Sequence, residues 1–110
     1  EYEKLASEAV AESSAKIRER VEQARQIQKN RFQNFGFAVN GEMKLKDIKL
    51  FCRLDEKCQE LIKNAVYKYN LSARAYHRVL KLARTIADLS ASENILPIHI
   101  NEALQYRPQN

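Results

Sequence analysis

Glycine and proline are scarce in this 110-residue chain, with two of each, and tryptophan is absent. That scarcity excludes collagen-like repeats, low-complexity tracts and flexible linkers. No apolar run approaches the roughly eighteen residues that a membrane-spanning helix needs, so no membrane partner is expected. The opening Glu1-Tyr2-Glu3 has neither the basic nor the apolar region of a signal peptide. Met43 is the sole methionine and the chain does not begin with it, so we expect a piece of a longer protein. The two cysteines are too few for a disulfide scaffold. Cys52 and Cys58 fall among apolar helical residues and read as reduced core thiols, which suits a cytoplasmic location. His77 and His99 have no Cys, Asp or Glu at a ligand spacing, so no metal site is expected. No Ser/His/Asp or Cys/His arrangement is legible, and no pair of carboxylates sits in an apolar setting. Catalysis confined to this chain is therefore not expected.

What is present fits a single soluble domain with a modest core: 45% hydrophobic and 30% charged residues. The formal net charge is +5, unevenly spread. Residues 1–43 hold seven basic and seven acidic side chains, whereas residues 44–110 hold twelve and seven. A basic second half attracts phosphate, whether of a nucleotide or of nucleic acid; many ordinary domains are as basic.

Helical periodicity dominates the pattern. Residues 1–13 read as a polar lead-in, with Ser13 and Ser14 placed to cap a long helix from Ser14 to about Asn34. Its stripe is Ile17, Val21, Ala24, Gln28 and Phe32, widened by Ile27. Gly36 and Gly41 bracket a loop in which Phe35 and Phe37 are expected to tuck against the bundle. A short helix near Leu45–Cys52 follows, then a third helix capped by Asp55 and running to about Tyr69. Its core face is Cys58, Leu61, Ile62, Ala65, Val66 and Tyr69. Asn70-Leu71 breaks the pattern and Ser72 opens a fourth helix to about Leu89, with Tyr76, Val79, Leu80, Ala83 and Ala87 on one face and Ile86 at its edge. After a polar turn at Ser90–Asn94, Pro97 suits the first position of a last helix. The predicted fold is all-α: a long N-terminal helix plus a small helical bundle, without internal repeat.

The spacing Gly36-x-x-x-x-Gly41 mimics a phosphate-binding P-loop. The following positions, where such a loop needs Lys and Ser/Thr, are Glu42 and Met43, and no strand precedes them. A carboxylate there repels phosphate, so this is a loop and not a nucleotide cradle. The fourth helix is more informative. Arg74, Arg78 and Lys81 cluster opposite its apolar face. Arg74 and Arg78 are like charges at i,i+4, and no carboxylate on this helix stands four residues from either. Arg74 lies in the first turn, where the helix dipole favours an anion over a cation. The arrangement suits either an ordinary solvated basic face or a phosphate held by guanidinium donors beside free backbone N–H groups.

The stretches Leu71-Ser72-Ala73-Arg74-Ala75-Tyr76-His77-Arg78 and Ala83-Arg84-Thr85-Ile86-Ala87-Asp88-Leu89 resemble the C-terminal domain of magnesium-chelatase-like AAA+ ATPases, in their competence-protein branch. So do Glu12-Ser13-Ser14 with Ile17-Arg18-Glu19-Arg20-Val21, the run Cys52-Arg53-Leu54-Asp55, and His99 to Arg107. The resemblance covers nearly the whole chain. It implies the helical lid of an ATP-driven ring, usually a hexamer, with residues 1–13 leading in from the ATPase core and 14–110 forming the lid. It implies that Arg74 is the sensor 2 arginine, which reaches the γ-phosphate of ATP, and that Arg78 and Arg84 are secondary candidates for a phosphate or inter-subunit contact. ATP and Mg²⁺ would act in the intact protein. With Walker A and B and the arginine finger missing, neither nucleotide binding nor hydrolysis is expected of this chain alone. The implied partners are its own N-terminal ATPase core, further copies in a homo-oligomeric ring, and DNA. Two other readings stand beside this one: a stand-alone helical DNA-binding or histone-like module, with residues 72–89 as recognition helix, and a helix-bundle adaptor built on the long first helix.

Overall fold

The computed structural model describes residues 2–107, without the side chains of residue 2 and residues 5–12. Five α-helices and one 3₁₀ turn follow in order: α1 Tyr2–Arg31, the 3₁₀ turn Asn40–Glu42, α2 Leu45–Phe51, α3 Glu56–Tyr69, α4 Ala73–Leu89 and α5 Pro97–Gln105. No strand occurs among the described residues. The architecture is the all-helical bundle that the periodicity predicts.

The boundaries of α3, α4 and α5 follow from local chemistry. The Asp55 carboxylate accepts from the Cys58 amide at 2.8 Å and starts α3. The Ser72 hydroxyl accepts from the Ala75 amide at 3.1 Å and starts α4. Pro97 leads α5, and there the cap is His99, whose Nδ1 accepts from the Leu96 amide at 2.9 Å. In a chain with two glycines, the left-handed positions that end helices fall to other residues: Asn70 (φ 51°) closes α3 and Ala91 (φ 53°) follows α4.

The first helix differs from the sequence expectation at its N-terminal end. It begins at Tyr2, not Ser14, so Ser13 and Ser14 lie within it and cap nothing. Residues 2–13 hold three Ala and three Glu, and contain neither Gly nor Pro. Nothing in them stops a helix once one has formed. The predicted stripe of α1 divides: Ala24, Gln28 and Phe32 are buried, Ile27 and Val21 are half-buried, and Ile17 is exposed. Among the described side chains of α1, the buried and half-buried ones lie in its C-terminal half.

Helix α4 is the central element, packing against α1, the 3₁₀ turn, α2 and α5, while α5 also packs on α3. The core gathers Phe32, Ile48, Cys58, Ile62, Val79, Leu80, Ala83, Ala87, Ile95 and Ile100. Phe37 packs against it as expected. Phe35 stays 41% exposed, although its ring meets Phe32, Phe37 and Phe51 at centroid distances of 5.3–6.1 Å. Cys52 and Cys58 are free thiols and both are buried.

Candidate functional site

Arg74 stands at the α3–α4 corner, which is fixed on both sides. Leu71 is buried and its amide bonds to the Val66 carbonyl at 3.0 Å, closing α3. Ser72 then caps α4, Ala75 is buried, and Tyr76 packs against the core. These anchors leave Arg74 no inward path. Its side chain is exposed in the first turn of α4 and makes no hydrogen bond or ion pair among the described residues. Arg78, one turn on, is exposed as well. Lys81 is engaged: its Nζ donates to the Gly41 carbonyl at 3.1 Å.

Arg84 lies elsewhere and in a different state. Its side chain is 6% exposed and forms an ion pair with Asp88 at 3.1 Å. Its two terminal nitrogens donate to the carbonyls of Glu93 (3.0 Å) and Ser92 (2.8 Å). Arg84 therefore holds the turn after α4 against the bundle. The turn is shaped to meet it: the Ser92 amide reaches back to the Ala87 carbonyl at 2.8 Å and the Ala91 amide to the Asp88 carbonyl at 2.9 Å, with Ala91 left-handed between them. Burial lowers the pKa of Arg84, Asp88 raises it and Arg31 lowers it further.

Asp88, fully enclosed, is the centre of a polar hub. Arg31 from the end of α1 grips it with both terminal nitrogens, at 2.6 and 2.8 Å. Asn40 donates its Nδ2 to Asp88 at 2.8 Å and to the Thr85 hydroxyl at 3.0 Å, and accepts from Arg31 at 2.9 Å. The Gln28 side chain accepts from the Asn40 amide at 2.9 Å. Asp88 sits in the last turn of α4, where the helix dipole opposes a carboxylate. Two guanidiniums offset that cost. The hub ties α1, the Gly36–Gly41 loop and the end of α4 together.

Sequence reasoning missed this hub, although part of its signal is present. Leu80, Arg84 and Asp88 are spaced four apart and so form one row on α4 that starts on the predicted apolar face at Leu80. An Arg and an Asp continuing a core row mark a buried ion pair. The identity of the third member, Arg31, has no such signal.

The sequence matches the family described as magnesium chelatase, subunit ChlI C-terminal, over residues 11–107. Competence protein ComM of Haemophilus influenzae is 42% identical over 96 residues, or 87% of this chain and 18% of that protein. The YifB proteins of Escherichia coli and Salmonella typhimurium are 38% and 33% identical over the same coverage. The chain thus spans about a fifth of the length of these curated relatives (18% of each).

Proposed function

The chain belongs to the magnesium chelatase, subunit ChlI C-terminal family, and we propose that it is the helical lid of a ComM-like AAA+ ATPase, coupling ATP binding in the intact protein to a change of ring conformation. The observation that carries this reading is Arg74, an exposed guanidinium, unpaired among the described residues, on a first helical turn whose backbone is fixed by Ser72, Leu71 and Ala75. A rigid mount with a free cation suits a phosphate presented by another domain. The leading amides of α4 add a favourable dipole at the same end. The ATPase core would supply the nucleotide, Mg²⁺ and the hydrolytic chemistry. Arg74 would supply a charge-assisted contact that discriminates ATP from ADP, and lid position would follow nucleotide state. Arg78 lies one turn away, on the same exposed side. The competence name of one relative and the basic second half of this chain support a role of the intact protein in handling DNA.

The test is Arg74→Ala in the intact protein. One charge-assisted phosphate contact is worth about 1.5–3 kcal/mol, equivalent to a loss of roughly ten- to a hundredfold in ATP turnover. Circular dichroism should be unchanged, because Arg74 is exposed and makes no hydrogen bond or ion pair among the described residues. Arg74→Lys should recover part of the rate. Wild-type turnover in Arg74→Ala would refute the sensor role. Tight, steeply salt-dependent binding of duplex DNA by the 110-residue chain alone would favour the DNA-module reading instead.

A further inference from the structure

A cleft of about 580 Å³ opens beside the polar hub, between the C-terminal half of α1, the end of α2 and the Ala91–Asn94 turn. Its walls include Ile27, Leu50 and Phe51, and Arg31, Arg53 and Arg84 line it. Arg31 and Arg84 are largely enclosed, at 13% and 6% side-chain exposure, yet they share a single carboxylate, Asp88. Two largely enclosed guanidiniums thus face one enclosed carboxylate at this wall, an imbalance that a further negative charge would offset. The Nε–H of Arg84 is buried, and nothing among the described residues accepts from it. Buried donors are ordinarily satisfied, and an exception calls for a partner. Arg53 is exposed and adds a third guanidinium to the lining, which also includes the exposed Glu93.

The geometry points to this cleft as a docking site for an acidic side chain flanked by an apolar residue, presented by a protein segment outside this chain. The carboxylate supplies the negative charge that Arg31 and Arg84 lack and matches the planar donor fork of Arg53, the terminal nitrogens of the other two being engaged within the bundle. The apolar neighbour covers Ile27, Leu50 and Phe51, a wall that a free inorganic anion leaves wet. The half-exposed Leu50 suits such a contact. Ten residues of α4 separate Arg84 from Arg74, about 15 Å along the helix. The site is therefore independent of the nucleotide reading, and either can fail alone.

The chain should be titrated with N-acetyl-Phe-Glu amide, its Phe-Gln counterpart and inorganic phosphate, observing the Arg84 Nε–H and the amides of residues 91–94 by nitrogen-15 NMR. The expected result is a saturable shift of these signals with the Glu peptide, at least about tenfold weaker with the Gln peptide, the loss of one charged pairing. Arg53→Ala, at an exposed position that leaves the fold intact, should weaken the Glu peptide several-fold. Equal shifts from both peptides, or none, would overturn the proposal. Phosphate moving the same signals while neither peptide does would overturn it too, in favour of a free-anion site.

Discussion

Asp88→Asn tests the hub most directly. The substitution keeps the shape of the side chain and removes its charge. In the native chain the carboxylate has no solvent exposure, accepts from Arg31 at 2.6 and 2.8 Å and from Asn40 at 2.8 Å, and forms an ion pair with Arg84 at 3.1 Å. The asparagine amide would turn a donor toward groups that are themselves donors. It would also leave two enclosed guanidiniums without a counter-charge. Breaking a buried ion pair by removing one partner costs about 3–5 kcal/mol. For a domain of this size each kcal/mol lowers Tm by roughly 4–8 °C, so a fall of at least about 12 °C is expected. The assay is urea and thermal denaturation followed by helical circular dichroism, for Asp88→Asn, Arg31→Met and the double variant. Arg31 and Asp88 share a network, so the double variant should be less destabilised than the two singles combined, by about 0.5–3 kcal/mol. A loss under about 1 kcal/mol for Asp88→Asn, the worth of an exposed pair, would refute the claim that this charge is buried and shared.

Three further outcomes follow from the same structure. His99 is buried and its Nδ1 caps α5 as an acceptor; desolvation, and secondly the nearby Arg84, push its pKa below the usual value, while Glu102 opposes them. The folded state therefore favours the neutral ring, so His99 weakens nothing above about pH 6.5 and costs stability as pH falls below the unfolded-state value. Urea midpoints of the wild type should drop between pH 7 and pH 5, and His99→Gln should flatten that slope; equal slopes would count against the cap. Desolvation raises both the Cys52 and the Cys58 thiols to about 11, against opposing pulls on Cys52 from Arg84 and Arg31 and with Asp55 adding to the rise at Cys58. Thiolate is then about a thousandth of either thiol at pH 8, and iodoacetamide should label the native chain far more slowly than the urea-unfolded one; equal rates would contradict their burial. Leu80→Asp places a charge where the native side chain is 4% exposed, and should abolish the cooperative unfolding transition.

The helices with local punctuation were legible from the sequence. Asp55 and Ser72 each bond to an amide three residues on, and Pro97 starts α5 by its own geometry. The apolar row of α4 was readable because the 3.6-residue period repeats across its seventeen residues. The exposure of Arg74 followed from that same wheel. The start of α1 was not legible, because residues 2–13 carry helix-forming composition without a stop signal. The Gly36–Gly41 loop was recognisable as a loop, but its role was not: Asn40 reaches its partners Thr85 and Asp88 across 45 and 48 residues of chain.

Periodicity and caps act within a few residues, where chain connectivity already holds the groups together, and so the order of α2 to α5 is a property of the sequence itself; of the predicted core face of α3, Cys58, Ile62 and Ala65 are buried, Leu61 and Val66 half-buried and Tyr69 37% exposed. The pairing of Arg31 with Asp88 spans 57 residues and depends on how α1 crosses α4. The chain offers nineteen cations, and nothing in their local spacing selects one over another as the partner of Asp88. Packing made that selection by desolvating Asp88 and bringing within reach a guanidinium to satisfy it. The cleft beside the hub, lined by Arg31, Arg53 and Arg84, is likewise a product of that packing.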